Sequence, residues 1–329
     1  MKLNRIVIWL GLLIVVIYGV LRFDQIEKIA NLLIHIKWYY LALLAAIQVI
    51  AYFSLSEAYI LTLKIYDRNL KVRKILPTIL AMQFVNNILP SAGLAGTSYL
   101  IHRWQKLGIK ASHTTLVQLI TYILAFIAYL GTMVIGFGVV LATADIERSI
   151  VRLTVIATSV IFLALWTLVL LFYDQNRGQK IARRLYDVIT KPLAFMRRKI
   201  TARDLEQFIK DLYTGLDETV RHRRKLIPPM LWFMAYFWCQ IVTLFIIFLA
   251  FGQLVNLGMI TTSYVVTNVL SLSSVATSGV GIYEASMVAS FVAFGLPFAD
   301  ALTAVLIYRA IAFWLFMPIG FYFYRRTLA

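Results

Sequence analysis

Three ionisable side chains, Glu57, Glu284 and Arg309, stand inside apolar stretches of a 329-residue chain. An ionised group at the bilayer centre costs at least about 2.5–3.5 kcal/mol on insertion scales, so such residues are functional candidates by default. Glu284 directly follows Thr277-Ser278-Gly279-Val280-Gly281-Ile282-Tyr283, and Arg309 lies 25 residues further on. Two readings are open. In one, Arg309 holds a phosphate, Glu284 orients it or takes a proton, and Tyr283 joins them. The N–H groups and dipole of a helix beginning beside Thr277, Ser278, Gly279 and Gly281 would complete an anion site. In the other, Glu284 and Arg309 pair only with each other and lock two elements together. Glu57 sits seven residues before Lys64, about 10 Å from that helix end, within reach of interfacial water.

A second polar break comes earlier, Asn86-Asn87-Ile88-Leu89-Pro90-Ser91-Ala92-Gly93-Leu94-Ala95-Gly96-Thr97-Ser98. Proline and small residues unwind a helix there. Asn87, Pro90, Ser91, Gly93, Gly96 and Thr97, with Gln83, Asn86 and Ser98, either line the same cavity as Arg309 or, for the asparagines, satisfy the broken backbone. Other chemistries find no residues. The four histidines are scattered, and the single cysteine, Cys239, lies in an apolar run and reads as a plain packing side chain. No metal-ligand spacing, phosphate-binding Gly-Lys loop or nucleophile elbow occurs, so neither a cofactor nor enzyme activity is expected. The basic charge carries no nucleic-acid-binding motif.

The elements that must position these residues are membrane helices. Hydrophobic residues make up 61% of the chain and charged ones 14%. Residues 153–173 and 226–283 contain no Asp, Glu, Lys or Arg at all. A helix needs about 20 apolar residues to cross a bilayer, and in lipid the backbone must satisfy itself. The apolar pattern predicts spans at 6–21, 38–63, 111–137, 153–173, 228–251 and 300–323. The first lacks a small-residue cleavage site and reads as a retained span rather than a signal peptide. With the N-terminus inside, 26 of the 32 Lys and Arg fall on the cytoplasmic side, while the outer loops are net neutral. That partition requires residues 75–101 and 259–295 each to start and finish on one side, as re-entrant hairpins. Irregular backbone at such depth is tolerated only within protein or against a watery cavity.

Each half then reads span, span, hairpin, span, the first starting inside and the second outside. The expectation is an all-α integral membrane protein of six spanning helices plus two re-entrant hairpins in an inverted-topology repeat, residues 1–144 and 145–329. Gly93 stands 186 residues before Gly279, and Gly108 stands 187 before Gly295. Both termini are cytoplasmic, and the plasma membrane is the expected site. The insert at 174–225 carries 14 basic and 7 acidic residues and an amphipathic helix after Thr201. It either lies on anionic leaflet lipid or simply anchors the positive-inside side. The oligomeric state stays open, a homo-oligomer included.

Ser278-Gly279-Val280-Gly281-Ile282-Tyr283-Glu284-Ala285, Phe294-Gly295-Leu296-Pro297, Tyr308-Arg309 and Pro318-Ile319-Gly320 resemble the C-terminal signature of the lysylphosphatidylglycerol synthase/flippase transmembrane family. Asn87 to Gly96 resembles its first signature, and the likeness runs over about residues 5 to 326. The resemblance implies a lipid flippase fold with two re-entrant hairpins, acting on phospholipids, aminoacylated ones included, or on polyisoprenyl-phosphate sugars. The family's acidic and basic positions carry over to Glu284 and Arg309. Where many members have an acid and then a base after the last Gly of the first signature, this chain has Thr97 and Leu100 or Ile101. That departure argues against a charged headgroup site in the first half, and so against a cationic aminoacyl lipid. The family's bifunctional members add a soluble aminoacyl transferase domain. This chain ends at Ala329 after its last span, so no synthase activity is expected. The expected function is translocation of an anionic lipid headgroup. The alternative is a non-transporting subunit of a lipid-linked glycan pathway, for which Glu284 and Arg309 should touch directly.

Overall fold

The computed structural model describes residues 37–66, 70–89, 91, 93–143, 214–215, 219, 221–271 and 281–328. Every regular element among them is helical: α1 (Trp38–Lys64), α2 (Val72–Ile88), α3 (Leu94–Gln105), α4 (Ala111–Thr143), α5 (Ile227–Ala250, after a 3-10 turn at Arg223–Leu226), α6 (Leu257–Ser271), α7 (Ile282–Ala293), α8 (Phe298–Arg309), a π-helical turn (Ala310–Trp314) and α9 (Phe316–Leu328). Among the described residues, four helical stretches are long and apolar enough to cross a membrane: Trp38–Lys64, Ala111–Ala142, Arg223–Ala250 and Phe298–Thr327. They fall on four of the spans expected from the sequence. The other two, 6–21 and 153–173, lie outside the described residues, as does most of the 174–225 insert.

The last of these stretches is not one regular helix. Pro318 has no N–H for the Trp314 carbonyl, and its ring crowds the preceding turn. The chain answers with the π turn, whose Leu315 N–H reaches back to the Ala310 carbonyl at 2.9 Å. Arg309 is the last residue before that turn.

Residues 75–101 form a helix-break-helix, wider than expected at both ends. The α2 backbone leaves helical geometry at Leu89, and α3 starts after Gly93, whose φ of 84° is left-handed. α6 and α7 stand on either side of residues 272–280, and α7 starts after Gly281 at φ 88°. α3 and α7 are both 12 residues long. Each exits through another left-handed glycine, Gly108 at 79° and Gly295 at 91°. Gly93 and Gly281 thus both stand left-handed at a helix start, while Gly279, the partner of Gly93 in the register read from sequence, lies outside the described residues.

The long helices α1 and α5 pack along each other at the centre. Around them the halves exchange partners: α2 packs on α9, and α6 packs on α4. Glycines allow these crossings to be close, as small residues do between membrane helices. A Cβ on Gly320 would come within 2.7 Å of the Leu80 carbonyl oxygen, and one on Gly136 within 2.4 Å of Thr261. Two separate apolar cores result. One gathers α2, α3 and the Lys64 end of α1 (Leu55 to Tyr66) with Leu116 to Ala128 of α4, Phe233 of α5, and Phe323 and Tyr324 of α9. The other gathers α6, α7 and α8 with Leu44 of α1, Tyr129 to Phe137 of α4 and Ile241 to Phe248 of α5. α2 and α3 thus occupy one end of the same three long helices, and α6 and α7 the other. Outward-facing Trp38, Val49, Val134 and Leu141 give the helix walls the apolar surface that lipid requires.

Candidate functional site

The carboxylate of Glu284 occupies the third position of α7. Its Oε2 accepts the Gly281 N–H at 2.6 Å, reaching back to the helix entry as a capping residue does. Its Oε1 accepts Arg309 Nε at 2.7 Å. Both residues are buried, each 8% exposed. The guanidinium is walled by aromatic faces, with Arg309 Cζ 4.8 Å from the Tyr283 ring centre and 3.9 Å from that of Phe313. The π turn brings Phe313 onto this face. Tyr283 in turn stacks on Tyr308, the rings 12° from parallel with centres 6.4 Å apart.

The pair is therefore direct, with both carboxylate oxygens engaged. One charge is spent on the other, and water is kept off by rings. Yet the guanidinium is not fully satisfied. Arg309 Nη2 is buried and has no hydrogen-bond partner among the described residues. A buried donor left unmade costs about 1–3 kcal/mol, more when it is charged. One N–H edge of the guanidinium is thus buried and unmet among the described residues.

Of the residues expected from sequence, Arg309, Glu284, Tyr283 and Gly281 come together here. Thr277, Ser278 and Gly279 lie outside the described residues, as does Pro90. The first break forms its own group, and its polar atoms turn to local backbone. Asn86 Oδ1 accepts the Gly96 N–H at 2.8 Å, joining the end of α2 to the start of α3. Ser91 Oγ accepts the Ala95 N–H at 3.0 Å, and Thr97 Oγ1 donates to the Gly93 carbonyl at 2.9 Å. Asn86 thus plays the backbone-satisfying part, and Asn87 sits half-buried beside it. A Cβ at Gly96 would lie 2.2 Å from Asn86 Oδ1, so any larger residue must displace the Asn86 amide.

Sequence reasoning missed a polar cluster at the heart of the bundle. Gln48 Nε2 (α1) donates to Gln240 Oε1 at 3.2 Å and to Thr243 Oγ1 at 2.9 Å, both on α5. Tyr308 OH (α8) donates to the same Gln240 oxygen at 3.2 Å. Lone glutamines in otherwise apolar spans were the available signal. The cluster ties three spans together beside Arg309.

With this geometry in place, comparison with known proteins gives consistent results. The family model described as "Lysylphosphatidylglycerol synthase TM region" matches residues 6–320. A UPF0104 membrane protein of Methanocaldococcus jannaschii is 23% identical over 327 residues, covering 97% of this chain and 94% of that protein. Two UPF0104 membrane proteins of Methanothermobacter thermautotrophicus are 24% and 21% identical. They cover 51% and 75% of this chain, and 48% and 73% of their own lengths. No solved structure matches.

Proposed function

The chain belongs to the lysylphosphatidylglycerol synthase TM-region family, and from that premise we propose that it is a lipid translocator of the cell membrane. In this reading it carries out no covalent chemistry. It passes an anionic lipid headgroup, of a phospholipid or a polyprenyl-phosphate-linked sugar, across the bilayer while the tails remain in lipid. One observation carries the reading: a buried arginine, ion-paired and walled by aromatic rings, that keeps an unpartnered guanidinium nitrogen. A phosphate oxygen is the natural acceptor for that nitrogen. The interrupted helices and the π turn at Arg309 are the kind of local backbone that accompanies function.

The proposed architecture has six spans and two re-entrant hairpins, related as inverted repeats with both termini cytoplasmic. Its support lies in the two cores at opposite ends of α1, α4 and α5, in the exchanged packing of α2 on α9 and α6 on α4, and in the matched 12-residue return helices. In this topology Arg309 lies 11 residues from Phe298, about 16 Å below the outer end of α8, near the middle of a core about 30 Å thick.

The direct Glu284–Arg309 contact is what a non-transporting subunit would need, and this second reading rests on it. Translocation of headgroup-labelled lipid in reconstituted liposomes separates the two. Loss of movement in Arg309→Ala and Glu284→Ala, both inserted and folded, supports transport. Wild-type rates in both variants would favour the subunit.

A further inference from the structure

A second buried atom, on the hydrogen-bonded cluster that reaches Tyr308, also lacks a partner. Gln48 is fully buried, and its amide N–H groups serve Gln240 and Thr243, but its Oε1 accepts nothing among the described residues. Inside a helix bundle such a carbonyl oxygen waits for a donor. Its neighbours do not supply one. The Tyr308 hydroxyl is given to Gln240 Oε1, and the Thr243 hydroxyl is given to the Cys239 carbonyl at 2.8 Å.

Gln48 lies at the depth of the arginine. It is ten residues from Trp38, about 15 Å from the start of α1, against about 16 Å for Arg309 on α8, and in the proposed topology both helices start outside. The two residues are joined through Gln240 and Tyr308, the latter adjacent to Arg309 in sequence. The described residues thus present two unmade hydrogen bonds of opposite sense at one level, a cationic donor at Arg309 Nη2 and a neutral acceptor at Gln48 Oε1.

Resting on the transport reading, we propose that Gln48 is a specificity-determining residue that accepts a hydrogen bond from a hydroxyl of the headgroup while Arg309 takes its phosphate. The substrate class is then a phosphodiester lipid whose head carries hydroxyls, of the glycerol or sugar kind. A head bearing only phosphate leaves Gln48 unmatched. Discrimination of this sort is strong where a buried polar group is built to meet a substrate hydroxyl.

The test compares two monoanionic phosphodiesters in the same liposomes, phosphatidylglycerol and phosphatidylmethanol, which differ in headgroup hydroxyls. Wild-type protein should move phosphatidylglycerol about five- to tenfold faster, the worth of one hydrogen bond. Gln48→Leu should bring the two rates together by slowing phosphatidylglycerol. Equal wild-type rates would overturn the assignment and leave transport standing, a comparison that needs no variant to fold. Selectivity unchanged in folded Gln48→Leu would also overturn it, the orphan oxygen then being met by a buried water. If neither phospholipid moves, the assignment falls, while the transport reading falls only if a polyprenyl-phosphate sugar in the same liposomes also stays unmoved.

Discussion

Replacing Glu284 by Gln removes the negative charge from a pair whose side chains are each only 10% exposed. Arg309 would be left charged, buried and without a counter-ion. Removing one partner from a buried pair costs about 3–5 kcal/mol, chiefly through the uncompensated charge that remains. Gln retains one carbonyl oxygen for either Arg309 Nε–H or Gly281 N–H, which places Glu284→Gln at the low end, about 3 kcal/mol. Arg309→Met strands the carboxylate instead and forfeits the contacts with Tyr283 and Phe313, so it should cost at least as much. The double variant carries neither charge. It should recover to within about 1–2 kcal/mol of wild type, because a well-packed neutral pair replaces a buried ionic one at little loss. The assay is equilibrium unfolding in mixed micelles for all four proteins, as a double-mutant cycle, followed by translocation in liposomes. Under the transport reading the recovered double variant is folded and inactive. Additive losses, with no coupling between the positions, would refute the assignment of a desolvated pair.

Two further outcomes are expected. Gly96→Ala pushes a methyl group into Asn86 Oδ1 and breaks the bond that closes the first break, so stability should fall by about 1–3 kcal/mol. Asn86→Ala in the same unfolding assay should lose less, since it removes the acceptor without the clash. With Cys239 replaced, Lys106→Cys in the Gly108 turn should be shielded from an external membrane-impermeant maleimide and Leu296→Cys after Gly295 should react. Labelling of both from one side would end the inverted arrangement.

The four described spans were legible because charge-free length alone decides a membrane helix. The break at Gly93 was legible because a proline and small residues interrupt an apolar run. Glu284 and Arg309 were legible because a charge in such a run is expensive, and they do meet. Their direct pairing, however, depends on how α7 approaches α8, which no local pattern records. The Gln48–Gln240–Thr243–Tyr308 cluster escaped notice because uncharged polar groups are cheap enough to pass as filler until their geometry is known. The π turn was hidden because Pro318 acts on the helix several residues upstream of itself.

The exchanged packing also bears on how the protein is made. α2 finds its support on α9, and 227 residues lie between Ile88 and Phe316. At synthesis rates of roughly 5–20 residues per second, α2 waits on the order of ten to fifty seconds for that partner. Through this interval, among the described helices, it leans chiefly on α1 and α3. Nascent chains halted before α9 should therefore be unusually open to membrane quality-control proteases, and the final helix serves as the keystone of a structure whose first arch was raised long before it.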